Sequence, residues 1–494
     1  MSRLGAARAI VAAVAWVIIG NGTPGVCAQI ANTKDADSPS SRTAVRKPNI
    51  VLILADDLGY GDLGCYGQIK IKTTRIDQLA REGMRFTDHY SGSTVCAPSR
   101  CCLLTGQHTG HVRIRGNSNV LLADEDITIA ELLKQAGYVT GAIGKWGVGH
   151  PPPPGDPAAN GFDYFYGYLD MWHAHNYFPD FLWKNNVKCS IKGNVVKPIG
   201  RGGVAIKQTQ YSHHLFTEEA LAFITRNRSK PFFLYVPFTI PHANNEAGNK
   251  GMEVPNAVPY SERGWPQPQK NHASMITRLD HSVGRIIDQL KMYDLDNNTL
   301  VIFTSDNGPH AEGGADPNFF NSAGGLRGYK RDLYEGGIRV PMIAWWPGKI
   351  SPGNVRKHVS SFWDFLPTVC EAAGIQPPAS IDGISYLPTL LGKSDAQTKH
   401  EYLYWEFHES GSKQAVRMGQ WKAVNFVGGA LELYNLVDDI GETANIAAKH
   451  PDVVRTIKEL MRKARADSEL FPLRTDPAAP TAVKKSARRS QHSG

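Results

Sequence analysis

Cysteine is scarce, with seven in 494 residues and no C-x-x-C pair. That excludes a disulfide framework, a zinc ribbon and a thioredoxin-type site. No run of about 18 apolar residues occurs anywhere, so no stable membrane insertion is expected. Charged residues make up 20%, too few for a disordered polyelectrolyte. There is no internal repeat. The net charge of +8 is misleading. Arg3 and Arg8 lie at the extreme N-terminus, and Lys484, Lys485, Arg488 and Arg489 lie in a Pro/Ala/Ser-rich tail. The body between them is nearly neutral, so a nucleic-acid footprint is missing. What is plentiful is glycine (48) and proline (31), which predicts tight turns and long loops.

The N-terminus reads as an export signal, residues 1–28. Arg3 and Arg8 precede the apolar run Ala9 to Ile19, and Val26-Cys27-Ala28 supplies a cleavage point before Gln29. Export to the periplasm or the extracellular space is the expected destination. Residues 29–47 follow as a polar leader. Asn49 to Leu54 is a continuous apolar run, as expected for a strand buried on both faces. Tyr138 to Ile143, Phe232 to Pro237, Leu300 to Thr304 and Met342 to Trp346 read as further strands. Helices are predicted over Ile76 to Arg81, Thr128 to Ala136 and Phe362 to Ala373. Ile276, Leu279, Val283, Ile286, Ile287 and Leu290 mark the clearest amphipathic helix. The alternation predicts an α/β fold: a large, mainly parallel sheet sandwiched by helices, over residues 48–391. Short apolar runs then predict an α+β subdomain of antiparallel strands and one helix over 392–472. Residues 473–494 read as a basic disordered tail.

The chemistry gathers where strands end. Asp56-Asp57 follows the first strand, and Asp306-Asn307 follows the strand ending at Thr304. Ligands of open α/β sheets collect at carboxyl ends of strands. Four oxygen-bearing side chains suit a hard divalent cation, either Ca²⁺ with its many oxygens in flexible geometry or Mg²⁺ with its tighter octahedron, and the absence of thiolate and imidazole argues against zinc. Phe162 to Trp183 is crowded with aromatics, which fits either sugar stacking or simple packing. His173-x-His175 is a weaker metal candidate than a hydrogen-bonded loop pair. Asn227-Arg228-Ser229 and Asn297-Asn298-Thr299 fit glycosylation acceptors, which matter only in a host that glycosylates.

The decisive element is Cys96-Ala97-Pro98-Ser99-Arg100 followed by Leu104-Thr105-Gly106. Other landmarks follow in order: Gly144-Lys145-Trp146, Pro241-His242, Asp306-Asn307-Gly308, Lys330, Glu335 to Pro341, and Leu433-Tyr434-Asn435-Leu436. In this pattern the chain resembles the sulfatase family of the alkaline phosphatase superfamily, over nearly the whole mature sequence. The resemblance implies an alkaline phosphatase-like fold and a sulfuric ester hydrolase. It implies that a maturation enzyme oxidises Cys96 to formylglycine, an aldehyde that hydrates to a geminal diol. One diol hydroxyl would attack the sulfur, and the other would expel sulfate. Asp56, Asp57, Asp306, Asn307 and an oxygen of modified Cys96 would hold one divalent cation. Arg100 and Lys145 would polarise the diol, Lys330 would grip the sulfate, and His242 would face the leaving oxygen. The physical demands agree: positive charge for the non-bridging oxygens, an activated oxygen and help for the leaving alcohol.

One departure stands out. Many sulfatases carry a histidine just after the G-K-W triplet; here it is Gly147. His150 is the first candidate for a replacement base and His310 the second. Two other functions remain open on sequence: a phosphomonoester or phosphonate hydrolase on this scaffold, and a non-catalytic binder of sulfated glycans. A nearly neutral exported hydrolase suits sulfated carbohydrates, with aryl sulfates as surrogates.

Overall fold

The computed structural model describes residues 47–149 and 155–475. The expected signal peptide, nearly all of the leader, His150 with Pro151 to Pro154, and most of the basic tail lie outside the described residues.

The ten-stranded sheet runs in the order Asn354–Arg356, Met84–Phe86, Met342–Trp345, Thr299–Ser305, Asn49–Asp56, Phe232–Pro241, Val139–Lys145, Tyr164–Tyr168, Phe181–Lys184, Val187–Ser190. The strands from Thr299–Ser305 through Tyr164–Tyr168 are mutually parallel. Met342–Trp345, read from sequence as one more strand of a mainly parallel sheet, runs antiparallel to its neighbour Thr299–Ser305. The far edge is closed by antiparallel pairs as well.

Strand Asn49–Asp56 shows why an unbroken apolar run forms here. Ile50, Leu52 and Leu54 enter the core on one face, while Val51, Ile53 and Ala55 enter the core on the other. Each such buried aliphatic side chain contributes roughly 1.5–3 kcal/mol. The long helix Gln267–Met292 lays its predicted apolar stripe, Ile276 to Leu290, on the second face. Helices Cys96–Thr105 and Phe365–Ala373 cover the first. Half of the ten aromatics between Phe162 and Trp183 are packing: Phe162, Phe165, Tyr168, Tyr177 and Phe178 are buried in these two cores.

The C-terminal sheet has four antiparallel strands, Leu403–Phe407, Lys413–Met418, Trp421–Phe426 and Leu431–Asn435. Helix Pro451–Lys463 packs on it through Ile457 and Met461. Strand Lys413–Met418 was not expected, because Lys413, Gln414 and Arg417 hide the alternation. Its polar side chains find partners inside: Gln414 donates to Tyr404 Oη at 2.8 Å, and Arg417 pairs with Asp88 at 2.9 Å. No helix among the described residues is long and apolar enough to cross a membrane.

Candidate active site

Parallel pairing places the two acid-bearing strand ends side by side. Ala55 is in register with Ser305, so Asp56-Asp57 and Asp306-Asn307 leave the sheet together. The two ends are then cross-tied. Asp306 N donates to Ala55 O at 3.1 Å, and Asp57 N donates to Asp306 Oδ1 at 3.1 Å. Asn307 Nδ2 donates to Asp57 Oδ1 at 2.6 Å. Asp57 turns through a left-handed backbone at φ 65°, a conformation that aspartate tolerates better than most residues.

Cys96 begins helix Cys96–Thr105, at the end where the helix dipole favours negative charge. The Asn117 carboxamide accepts from Ala97 N at 3.1 Å, and Gly106 ends the helix at φ 73°. Ser99 and Arg100, one turn on, bolt this helix to the acids. Ser99 Oγ donates to Asp306 O at 2.5 Å. Arg100 is fully buried and donates through Nη2 (2.8 Å) and Nε (3.1 Å) to Asp306 Oδ2. Its Nη1 donates to Lys145 O at 2.6 Å. Lys145 ends strand Val139–Lys145 and puts Nζ 2.7 Å from Asp56 Oδ2 and 3.4 Å from Cys96 Sγ. Lys330 Nζ lies 2.9 Å from Asp57 Oδ2, 3.0 Å from His242 Nε2 and 3.2 Å from Glu312 Oε2.

This charge crowding sets the protonation. Burial works to raise the Asp56 carboxyl, but Lys145, His242 and Arg100 outweigh it and hold it well below the usual range. Burial, with repulsion from Asp56, pushes Asp306 up to about 7. Burial also pushes the Cys96 thiol up to about 11, so an unmodified thiol there is protonated and weakly nucleophilic at neutral pH. Burial lowers His242, with Lys330 beside it adding to the effect. His242 Nδ1 is 2.6 Å from Ala243 O, to which it donates, so its Nε2 lone pair accepts from Lys330. The hydrogen-bond donor at this corner is thus Lys330, with His242 holding it in place.

The residues fit a cation of the hard, oxygen-seeking kind. Asp56 Oδ1 and Asn307 Oδ1 are buried acceptors with no hydrogen-bond donor, and buried orphans of this sort are costly. The Cys96 thiol and the His242 ring also lie within reach of Asp56 and Asp57. The thiol is protonated, however, and His242 Nε2 accepts from Lys330. That leaves the oxygens of Asp56, Asp57, Asp306 and Asn307, which matches calcium or magnesium chemistry.

The residues read from sequence as metal ligands and catalytic groups converge: Asp56, Asp57, Cys96, Arg100, Lys145, His242, Asp306, Asn307 and Lys330. Gly147 also lies here, at φ 78°, and a Cβ on it would stand 3.2 Å from Arg100 Cδ. A side chain at this position would therefore meet the cradle, but only from a strained backbone. His310 is close by, yet both its nitrogens are engaged. Nε2 is 3.0 Å from Pro241 O, and Nδ1 accepts from Glu312 N at 3.1 Å. That removes the lone pair a replacement base needs. His150 lies outside the described residues. His173 and His175 do not converge on a metal: His173 stacks on Phe181, whereas His175 meets Glu246 at 3.0 Å and stacks on His242. Sequence reasoning missed Glu312, Glu246 and His175 as neighbours of the site. Glu312 follows His310 by two positions but belongs to no motif, so only the fold reveals it.

A parallel sheet whose strand ends hold buried acids, three buried cations and a helix-borne Cys96 defines a hydrolase of anionic esters. The sulfatase family description matches residues 48–375, and that of the N-sulphoglucosamine sulphohydrolase C-terminal region matches residues 327–467. The chain belongs to the sulfatase family and is a sulfuric ester hydrolase. It is 30% identical to an N-acetylgalactosamine-6-O-sulfatase of Bacteroides thetaiotaomicron, over 85% of this chain and 93% of that protein. It is 32% identical to human arylsulfatase A, over 86% and 89%. Among solved structures it resembles Ps i-CgsB in complex with k-i-k-neocarrahexaose, with a TM-score of 0.73, 29% identity, and 87% and 95% coverage. A phosphonate monoester hydrolase of Agrobacterium radiobacter shares the fold at a TM-score of 0.60 and 20% identity, over 85% and 95%.

Proposed function

We propose that this sulfatase is exported and releases inorganic sulfate from sulfated carbohydrates, using formylglycine made from Cys96 and one bound Ca²⁺. The observation that carries the reading is the pair of buried acceptors without donors, Asp56 Oδ1 and Asn307 Oδ1, beside Cys96 at a helix start. The cation would be held by Asp56, Asp57, Asp306 and Asn307, and it supplies Lewis-acid polarisation of the sulfate. Formylglycine, once formed by a maturation enzyme, supplies an oxygen nucleophile that the protonated thiol does not.

The chain's own residues have separable roles. Arg100 neutralises Asp306 and fixes the start of the helix. Lys145, 3.4 Å from the residue-96 side chain, holds that side chain in line and stabilises negative charge on it. Lys330 donates to the sulfate and to the leaving oxygen, and His242 orients its ammonium. Carbohydrate as the substrate class draws support from the relatives: the Bacteroides protein is named an N-acetylgalactosamine-6-O-sulfatase, and Ps i-CgsB was solved in complex with k-i-k-neocarrahexaose. Gly147 favours a second reading, a glycan binder that has lost turnover, because the resemblance implies a base there.

The test is sulfate release from aryl and sugar sulfates by protein matured in a host with the modifying enzyme. Turnover that rises with formylglycine content supports the first reading. Binding of sulfated sugars without any release supports the second.

A further inference from the structure

Beside the cradle lies a group of charges that the reaction chemistry above does not use. Arg331 follows Lys330 and has a left-handed backbone at φ 80°. An L side chain is strained in that conformation, which glycine would adopt freely. The conformation is held at both ends. Arg331 N donates to Thr94 O at 3.1 Å, and Lys413 Nζ donates to Arg331 O at 3.3 Å. Strained backbone that is over-determined in this way gathers at functional sites.

The side chain is fixed too. Nη1 donates to Glu312 Oε1 at 2.5 Å, and Nε donates to Glu409 Oε2 at 3.0 Å. Glu312 gives its other oxygen to Lys330 Nζ at 3.2 Å. The guanidinium therefore stands one carboxylate away from the ammonium that meets the sulfate. Glu409 comes from the turn between Leu403–Phe407 and Lys413–Met418, so the C-terminal sheet completes this rim. Arg331, Glu312 and Glu409 keep 42%, 21% and 32% of their side-chain surface open to solvent.

The charge balance decides what such a rim can take. Arg331 already has two acids, and Lys413 faces Asp332 at 3.9 Å. A second sulfate or a carboxylate on the substrate would have to displace Glu312 or Glu409 and then sit beside a like charge, which is unfavourable. A hydroxyl displaces nothing: a carboxylate accepts its proton while the guanidinium donates to its oxygen. The geometry points to Glu312, Arg331 and Glu409 as specificity-determining residues. They bind hydroxyls of a neutral sugar ring that bears the scissile sulfate, and they discriminate against a second anionic group on that ring. This rests on the carbohydrate sulfatase reading above.

The test measures kcat/KM for the matured enzyme, with its aldehyde content verified, on para-nitrophenyl sulfate, monosulfated hexoses and the same hexoses bearing a second sulfate or a carboxylate. The wild type should prefer the monosulfated sugars by about tenfold or more. Glu409→Gln keeps the shape, removes the charge and should narrow that preference several-fold. Arg331→Gly suits the left-handed backbone, so it should fold. It should lower kcat/KM on the monosulfated hexose about tenfold more than on para-nitrophenyl sulfate, chiefly by raising KM. A wild type that prefers doubly anionic sugars overturns the proposal. So does an unchanged preference in Glu409→Gln, or an equal loss on both substrates in Arg331→Gly. Turnover of para-nitrophenyl sulfate with none of any sugar sulfate overturns it while leaving the sulfatase chemistry standing. No turnover of either substrate by aldehyde-bearing enzyme removes the reading beneath it, and the subsite with it.

Discussion

Two buried ionic clusters lie at opposite ends of one short segment, and they differ in a single respect. At its start, Lys330 enters the cradle of Asp56, Asp57 and Asp306. A few residues later, Glu335 and Arg339 enter a second cluster under the C-terminal sheet. There Glu335 accepts from Tyr90 Oη at 2.6 Å, Arg339 Nε at 2.7 Å and Lys422 Nζ at 2.9 Å. Glu442 accepts from Glu335 N at 2.7 Å, and Asp88 accepts from Arg417 at 2.9 Å. Glu335, Lys422 and Glu442 are as deeply buried as the cradle acids. Yet the described side chains of this second cluster leave no buried polar atom without a partner, whereas Asp56 and Asn307 each do. Burial and charge are alike; satisfaction is not. A cluster that closes on itself fastens one part of the fold to another. A cluster that leaves acceptors open is built to bind something.

The comparison breaks first at Cys96. Cys96→Ala should reduce sulfate release on the order of 10⁴-fold or more while the melting temperature stays near that of the wild type. A comparable loss of stability would place Cys96 with the structural thiols. Chelation comes next. Removing the divalent ion should lower turnover by about a hundredfold or more and, from a site filled at ~100 times its Kd, cost about 3 kcal/mol of stability. Calcium should restore both quantities. Full recovery with zinc alone would contradict the oxygen-ligand reading.

The second cluster should answer in the opposite way. Lys422→Met leaves Glu335 and Glu442 buried without their shared cation, and breaking such a pair costs about 3–5 kcal/mol. The change should appear in thermal unfolding, with kcat of the folded fraction within a few-fold of the wild type. A large fall in kcat at unchanged stability would move this cluster into the active site.

The smallest effect sharpens the contrast with an acid that belongs to neither cluster. Asp62 is buried, accepts from Gly59 N at 2.8 Å, and has no cation beside it. Burial pushes it up to about 7 from 3.8. Because the folded value is raised, its contribution is fully present below about pH 4 and is lost as pH climbs through about 7. Asp62→Asn keeps the acceptor for Gly59 N, so it should raise the melting temperature by a few degrees at pH 8 and leave it unchanged near pH 4. Melting curves at both pH values decide it; an equal shift at the two would rule out ionisation as the cause.

The sequence made the cradle legible because its residues sit in short motifs at the ends of apolar strands. Asp56-Asp57 after Asn49–Asp56 and Asp306-Asn307 after Thr299–Ser305 could be placed together from strand logic alone. The same motif reading could not separate site from fastening: Lys330 and the Glu335 to Pro341 run looked alike as landmarks, although they serve different clusters. The contacts among Glu312, Glu409 and Arg331 were invisible because they form where three segments meet in space. The antiparallel course of Met342–Trp345 was equally hidden, since an apolar run carries no direction. Strand Lys413–Met418 was masked by polar residues whose partners are tertiary.

Turnover requires at residue 96 the nucleophile chemistry that its buried, protonated thiol lacks. Mass analysis of the peptide spanning Cys96 and Arg100 tests this directly, in preparations whose sulfate release is measured alongside. The prediction is an aldehyde in place of the thiol, in a fraction that rises in step with specific activity across hosts with and without the maturation enzyme. Fully active protein carrying only the intact thiol would contradict it.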